Sequence, residues 1–364
     1  MQPSFPTDHK SILERMRSIA PEQYAKTRNF STGSVSYLSP YISRGVLTLP
    51  QIWNNLKERG YTIQTAAKFI QELAWREYFQ RTWWHLGNKI LQDIRQPQQD
   101  VLHHEIQKAL TEAGTGIDAI DEGIRTLYET GYAHNHLRMY IAGLSCNLGK
   151  AHWKLPATWM YYHLLDGDIA SNTLSWQWVA GSFSNKKYIA NQDNINHYLN
   201  SNQKKTFLDT SYEEILKQPV PEALQNTWQP AFATILPDTA PPKIRTDLPV
   251  FLYNSYWLNP NWHTDLPANR LLILDPVHFQ QYPVSKKVLD FILKLAVDCI
   301  PDIQVVKGSP QSIPELTEVP AIYSIEHPIT AAYPGIKEPY PWLFPGFKGT
   351  PSSYFNFWKK VSYF

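Results

Sequence analysis

The stretch Asp166-Gly167-Asp168-Ile169-Ala170-Ser171-Asn172-Thr173-Leu174-Ser175-Trp176-Gln177-Trp178 strings two carboxylates, a carboxamide and two indoles along what reads as one helix. At 3.6 residues per turn, Asp168, Asn172 and Trp176 stand at i, i+4 and i+8 and share one stripe. Burying unpaired polar groups is costly, so such a stripe needs internal partners or a polar, flat ligand, and a redox-active heterocycle fits it. The bland alternative is equally open on this stretch alone. Indoles at helical spacing usually report core packing, and Asp-Gly commonly marks a turn.

The whole chain bounds the answer. Its 364 residues suggest two domains, or one large domain with an appendage. With 43% hydrophobic and 18% charged residues the composition is globular, although 13 Trp and 28 Pro are high for the length. A net charge of +2 advertises no global field for nucleic acid. Cys146 and Cys299 cannot make a disulfide framework and fall short of the four thiolates of an iron–sulfur cluster. The expectation is a protein of the reducing cytoplasm with no metal and no iron–sulfur cluster. Met1 to Lys10 has no apolar core of a signal peptide, and no segment runs to eighteen uninterrupted apolar residues, so a soluble protein without membrane contact is expected.

From about Asp8 to Tyr198 apolar residues recur at mixed three and four spacing, which predicts an all-α first domain over residues 1–217. Expected helices run from Ser11 to Ile19, Leu49 to Glu58, Thr65 to Leu86, Gly116 to Thr130, His134 to Asn147, Ala157 to Leu165 and Asp168 to Ala180. Between residues 218 and 248 repeated prolines remove backbone donors and favour extended chain, which reads as a linker lying against the first domain. Over residues 249–364 the period changes. Strand-like runs at Val250–Tyr253, Leu271–Leu274, Ile303–Val306 and Ala321–Ser324, with a helix from Val284 to Cys299, predict a small open α/β sheet. The tail from Tyr333, rich in Pro, Gly and aromatics, is expected to wrap a surface. The fold class is therefore mostly α, helical first and Rossmann-like α/β second.

Three more segments bear on the opening stretch. In Gln71-Glu72-Leu73-Ala74-Trp75-Arg76-Glu77-Tyr78-Phe79, Glu72, Trp75, Arg76 and Phe79 share a helical face. In His134-Asn135-His136-Leu137-Arg138-Met139, Asn135, Arg138 and Met139 sit together at i, i+3 and i+4. Ser36-Tyr37-Leu38-Ser39-Pro40 places hydroxyls just before a helical stretch, which suits an anion.

In this order and spacing, the four segments resemble the FAD-binding domain of the photolyase/cryptochrome family, over roughly residues 5 to 180. The resemblance implies FAD as cofactor. It implies cofactor contacts from Tyr24, Ser36, Leu38, Ser39, Arg76, Asn135, Arg138, Asp166, Asp168 and Asn172, with Arg138 pairing Asp166 in a bidentate bridge. Val35 stands where many members have threonine. Asn172 matches the residue facing flavin N5, where an amide oxygen accepts from N5–H and favours the reduced flavin. Photolyases usually carry asparagine there and several cryptochrome branches aspartate or cysteine, which leans towards repair.

Trp176 and Trp153 match the first two indoles of the chain that photoreduces the flavin, Trp153 being alternatively an aromatic plug. No Trp occurs between Trp84 and Trp153 to supply the third, so a tyrosine such as Tyr128 or Tyr132 is the expected end of that path. Glu72, Trp75, Asn135 and Met139 match the pocket that binds cyclobutane pyrimidine dimers, with Glu72 on the pyrimidine edge and Trp75 stacking on a flipped base. His134 is read as structural. Lys186 and Lys187 meet phosphate or merely solvate a loop.

The resemblance thus implies a DNA photolyase, a carbon–carbon lyase acting on damaged DNA, including single-stranded DNA. The alternative is a blue-light receptor or regulatory flavoprotein acting through a protein partner; a light-independent relative without catalysis is a third reading, because a family fold does not fix activity. Members usually place an antenna domain before the FAD domain, whereas the helical motifs here begin almost at Met1. Ile303 to Pro310 followed by Ile313 to Leu316 resembles that domain's strand, turn and helix, so the C-terminal half is either a displaced antenna-like domain, whose second chromophore stays unassigned, or an unrelated α/β fold.

Overall fold

The computed structural model describes residues 3–362. Two compact units emerge, and they follow a different division from the one expected at residue 217. Among the described residues one comprises 3–4, 20–35 and 79–232; the other comprises 5–19, 36–78 and 233–362. The long helix Ala67–Leu86 supplies residues to both.

The first unit is built on helices whose ends are written in the sequence. Helix Asp118–Thr130 buries Ile120, Ile124 and Leu127 along one face. Its first turn is held by Asp121, which accepts from Thr115 N at 2.9 Å, Thr115 Oγ1 at 2.7 Å and Gly116 N at 3.2 Å. It stops at Gly131, whose φ of +72° suits glycine as a left-handed cap. Helix Asn135–Gly143 continues into a buried π-helical stretch, Leu144–Leu148, where a single helix from His134 to Asn147 was expected. Asn147 explains the detour, since its Nδ2 donates to the carbonyls of Val179 at 3.0 Å and Tyr188 at 2.7 Å. Helix Lys154–His163 follows, then Ile169–Ala180, the helix of the opening stretch.

Two expectations change here. The unit is not wholly helical: β1 (Ile106–Gln107) and β2 (Thr227–Trp228) pair antiparallel, Ile106 opposite Trp228. The first half of the presumed linker is therefore part of this unit, with Leu224 fully buried in its core cluster. Helix Gln192–Leu199, N-capped by Asn191, was not anticipated.

The second unit centres on a five-stranded parallel sheet of β3 (Val250–Tyr253), β4 (Asn269–Leu274), β5 (Gln304–Lys307), β6 (Ile322–Ile325) and β7 (Ile336–Glu338), in the order β5-β4-β3-β6-β7. Every residue of β3 is buried, as expected of a parallel strand covered on both faces. Val250, Leu252, Leu271, Ile273 and Val306 pack with Ile313, Leu316 and Tyr333. Helix Lys286–Cys299, capped by Ser285, lies between β4 and β5 in the chain.

Residues 5–19 and 36–78 are joined to each other by Tyr41 OH, which donates to Pro6 O at 2.9 Å, and to the C-terminal part of the unit by Leu258 N, which donates to Arg44 O at 2.9 Å, and Cys299 Sγ, which donates to Thr7 O at 3.2 Å. Gly45 has φ +66°, and a Cβ there would lie 2.4 Å from the Tyr256 carbonyl oxygen, so the close approach requires glycine. The C-terminal tail is a further correction. It adds strand β7 and helix Tyr354–Val361, whose Phe357 and Val361 are fully buried, so it contributes to a core.

Candidate flavin site

Asp168 does not lie inside the helix but caps it. Its Oδ1 accepts from Ser171 N at 2.7 Å, satisfying one of the orphan donors of the first turn, and its Oδ2 accepts from Gln80 Nε2 at 2.6 Å. Asp168 is buried. Asn172, one turn on, donates from Nδ2 to the Ala157 carbonyl at 2.9 Å. Because an amide bonded through its nitrogen has a fixed orientation, Asn172 Oδ1 is left as an acceptor, and it takes no hydrogen bond among the described residues. Two buried oxygens nearby, Gln80 Oε1 and Ser171 Oγ, likewise lack a partner. Buried polar atoms normally find one, so Gln80 Oε1 and Ser171 Oγ, with the partly exposed Asn172 Oδ1 beside them in sequence, are acceptors left over for a ligand with N–H and O–H donors. The isoalloxazine edge and ribityl hydroxyls of FAD are such a group, and the residues present fit it.

Asp166 behaves as the sequence suggested, with a geometric correction. Arg138 Nη2 alone bridges both carboxylate oxygens, at 3.0 Å and 2.8 Å, while its Nε donates to Ala133 O at 2.8 Å. The contact is thus end-on rather than a two-nitrogen fork. Asp166 is almost fully buried and its counter-charge partly so. The Arg138 guanidinium also lies over the Tyr132 ring at 5.5 Å.

Asn135 begins the helix Asn135–Gly143 and is exposed, its Nδ2 lying 3.7 Å from Met139 Sδ. His134 beside it is structural, as read. Its Nδ1 accepts from His136 N at 3.2 Å, capping the helix, so Nε2 carries the proton and donates to Arg28 O at 2.9 Å. Burial pushes its pKa down to about 4.

Trp176 and Trp153 are both buried in the same apolar cluster. Trp153 Nε1 donates to Asp93 Oδ1 at 2.6 Å, and its backbone N–H to Gln98 Oε1 at 2.9 Å. Of the two tyrosines considered as the end of a path, Tyr128 accepts from Trp159 Nε1 at 3.0 Å and donates to Thr111 O at 2.7 Å. Trp159, buried and unremarked in the sequence, is thus the indole Tyr128 touches, and Trp153 is not.

The remaining candidates fall in the two units separately. Tyr24, half-buried in helix Pro21–Thr27, belongs to the first; Ser36, Leu38, Ser39, Glu72, Trp75 and Arg76 belong to the second. Ser36 Oγ accepts from Leu38 N at 3.4 Å, and Ser39 opens a helix of only five residues. Arg76 Nη2 donates to Ser43 Oγ at 3.0 Å. Trp75 holds the largest surprise. The Tyr354 ring stacks on it at 3.5 Å with an interplanar angle of 8°, so one face expected to be open for a base is covered by the C-terminal helix.

Gln80, Asp93 and Tyr354 were missed. Gln80 continues the stripe of Glu72 and Arg76 at i+4 steps, and a polar residue recurring on that face was a usable signal. Tyr354, Phe357 and Val361 follow helical spacing, which the high aromatic content of the tail obscured.

Residues 69–232 match the family described as the FAD binding domain of DNA photolyase. The deoxyribodipyrimidine photo-lyase of Agrobacterium fabrum is 31% identical over 165 residues, covering 44% of this chain and 34% of that protein. That of a Synechococcus strain is 31% identical over 176 residues, covering 46% and 36%. The chain therefore matches about a third of the length of these relatives. A crystal structure of a Synechocystis cryptochrome aligns at 22% identity and a TM-score of 0.44, over 54% of this chain and 46% of that one. Tyr24, Ser36, Leu38 and Ser39 lie outside the family match.

Proposed function

With residues 69–232 belonging to the photolyase/cryptochrome family through its FAD-binding domain, we propose that this chain is a photolyase-type flavoprotein that repairs cyclobutane pyrimidine dimers in DNA. One observation carries the proposal: the turn Asp168–Asn172, with Gln80, offers three oxygens that lack protein donors, Asn172 Oδ1 among them. Bound and reduced, FAD would supply the light-excited electron that opens the cyclobutane ring and then takes it back.

The residues have separate tasks. Asn172, its nitrogen held by the Ala157 carbonyl, keeps an acceptor turned towards flavin N5–H and disfavours loss of that proton. Asp168, with both oxygens engaged, fixes the start of the helix and holds Gln80, while Arg138 supplies a counter-charge to the buried Asp166. Arg76, Asn135 and Tyr24 complete the proposed FAD contacts, and Ser36, Leu38 and Ser39 those to the pyrophosphate. Trp176 and Trp153 relay electrons inward. Glu72, Trp75, Asn135 and Met139 are the proposed contacts to the lesion, single-stranded DNA included.

A regulatory flavoprotein with a protein partner is the second reading, and the Tyr354 ring over Trp75 is the observation that favours it. Both are separated by one experiment. The purified protein is photoreduced in blue light with a thiol reductant, and dimer splitting is followed chromatographically in single- and double-stranded oligonucleotides. Repair of either strand form supports the first reading; bound flavin with repair of neither rejects it and leaves the regulatory one.

A further inference from the structure

The C-terminal segment is built like a tethered ring held over Trp75. Its near end is pinned: Glu77, fully buried, accepts from the backbone N–H groups of Leu343 and Phe344. Its far end is the helix Tyr354–Val361, capped by Ser353 Oγ, which accepts from Asn356 N at 3.2 Å. Residues 345–353 between them form no helix or strand and carry Pro345, Gly346, Gly349 at φ +99° and Pro351. Glycine and proline at such spacing favour turns in the connecting chain, and Phe344 at its near end lies 6.0 Å from Phe357 on the helix.

On the helix, Tyr354, Phe357 and Val361 point inward and Phe355 outward, 77% exposed. The Tyr354 ring lies parallel on Trp75 at 3.5 Å, and its hydroxyl donates to Gln71 O at 2.9 Å. Phe357 meets Phe347 edge-on at 4.9 Å and lies 6.3 Å from Tyr78. A parallel ring at van der Waals distance is the geometry in which a nucleobase stacks on an aromatic side chain. Two flat groups cannot share one face of an indole.

We infer that the segment Leu343–Val361 is an internal ligand of the Trp75 stacking face, with Tyr354 in the place of a flipped pyrimidine, and that the helix Tyr354–Val361 moves off when nucleic acid binds. The Glu77 clamp stays closed in this exchange, so the helix swings on its own tether and returns. The inference rests on the assignment of Trp75 to base stacking made above.

The test is fluorescence anisotropy of an oligonucleotide containing one cyclobutane thymine dimer, titrated with the full chain and four variants. Tyr354→Ala and Tyr354→Leu remove the stacked ring, the second keeping apolar volume so that the helix stays packed. A chain ending at Ser352 removes the helix, and Trp75→Ala removes the platform. Relief of an internal competitor predicts binding at least tenfold tighter for both Tyr354 variants and for the shortened chain, and weaker for Trp75→Ala. Unchanged affinity in Tyr354→Ala and Tyr354→Leu, with Trp75→Ala weakened, overturns the internal ligand while leaving the platform intact. Unchanged affinity in Trp75→Ala overturns the platform, and the inference with it.

Discussion

Acid should loosen the first unit through His134, and the size of the effect follows from its two bonds. The neutral ring uses Nδ1 as an acceptor for the helix cap and Nε2–H as a donor to Arg28 O, so a second proton has nowhere to go without breaking the cap. Burial depresses the folded pKa from 6.5 to about 4. A depressed histidine leaves the unfolded chain binding more protons, so stability is full above the unfolded value and is lost as pH falls towards the folded one. Between pH 7.5 and pH 5 the unfolded state gains nearly one proton and the native state almost none, which costs about 2 kcal/mol. His134→Asn keeps an acceptor at the cap but gives up the bond to Arg28, a loss of about 1 kcal/mol at pH 7.5. Urea unfolding followed by circular dichroism should therefore show the variant less stable at pH 7.5 and the more stable of the two at pH 5. His278 is also depressed by burial, but it is common to both proteins and cancels in the comparison. A gap between the two proteins that does not change with pH would refute the reasoning.

Other perturbations read other parts of the molecule. Arg138→Met removes the guanidinium from the buried Asp166 carboxylate and should cost about 3 kcal/mol, the low end for breaking a buried pair because Arg138 is partly exposed; adding Asp166→Asn should recover much of it in the same unfolding assay. Gly45→Ala drives a methyl to 2.4 Å from the Tyr256 carbonyl oxygen at φ +66° and should lower stability by about 2 kcal/mol or more, read as an early loss of near-ultraviolet signal. Trp153→Phe and Trp176→Phe should each slow flavin photoreduction, and unchanged rates in both would remove the relay assignment. Trp153→Phe should also lower the melting temperature, because Asp93 loses the indole donor it holds at 2.6 Å.

Much of the secondary structure was legible because its signals are local. Leu49–Glu58 was bounded by Thr48 and Val250–Tyr253 by its apolar run, and both were read to the residue. What escaped depends on partners distant in sequence. Nothing near Asn147 announces the carbonyls of Val179 and Tyr188 that turn its helix into a π-helical stretch. The division into units was misread for the same reason: nothing near Arg44 and Gly45 announces the chain near Tyr256 and Leu258 that packs against them. At the candidate site, the residue types were legible and their orientations were not. Spacing put Asp168 and Asn172 on one stripe, but only the Ser171 N–H and the Ala157 carbonyl make one a cap and the other a directed acceptor. The same holds for Trp75, whose stacking face the sequence identified and whose occupant, 279 positions away, it did not.

The most direct measurement is flavin stoichiometry: the full chain, unfolded and refolded without cofactor and then dialysed against FAD, compared with Asn172→Leu. About one FAD per chain, with a structured flavin spectrum, is expected, and a clear loss of affinity in the variant. No uptake of FAD by the folded wild-type chain would contradict that expectation.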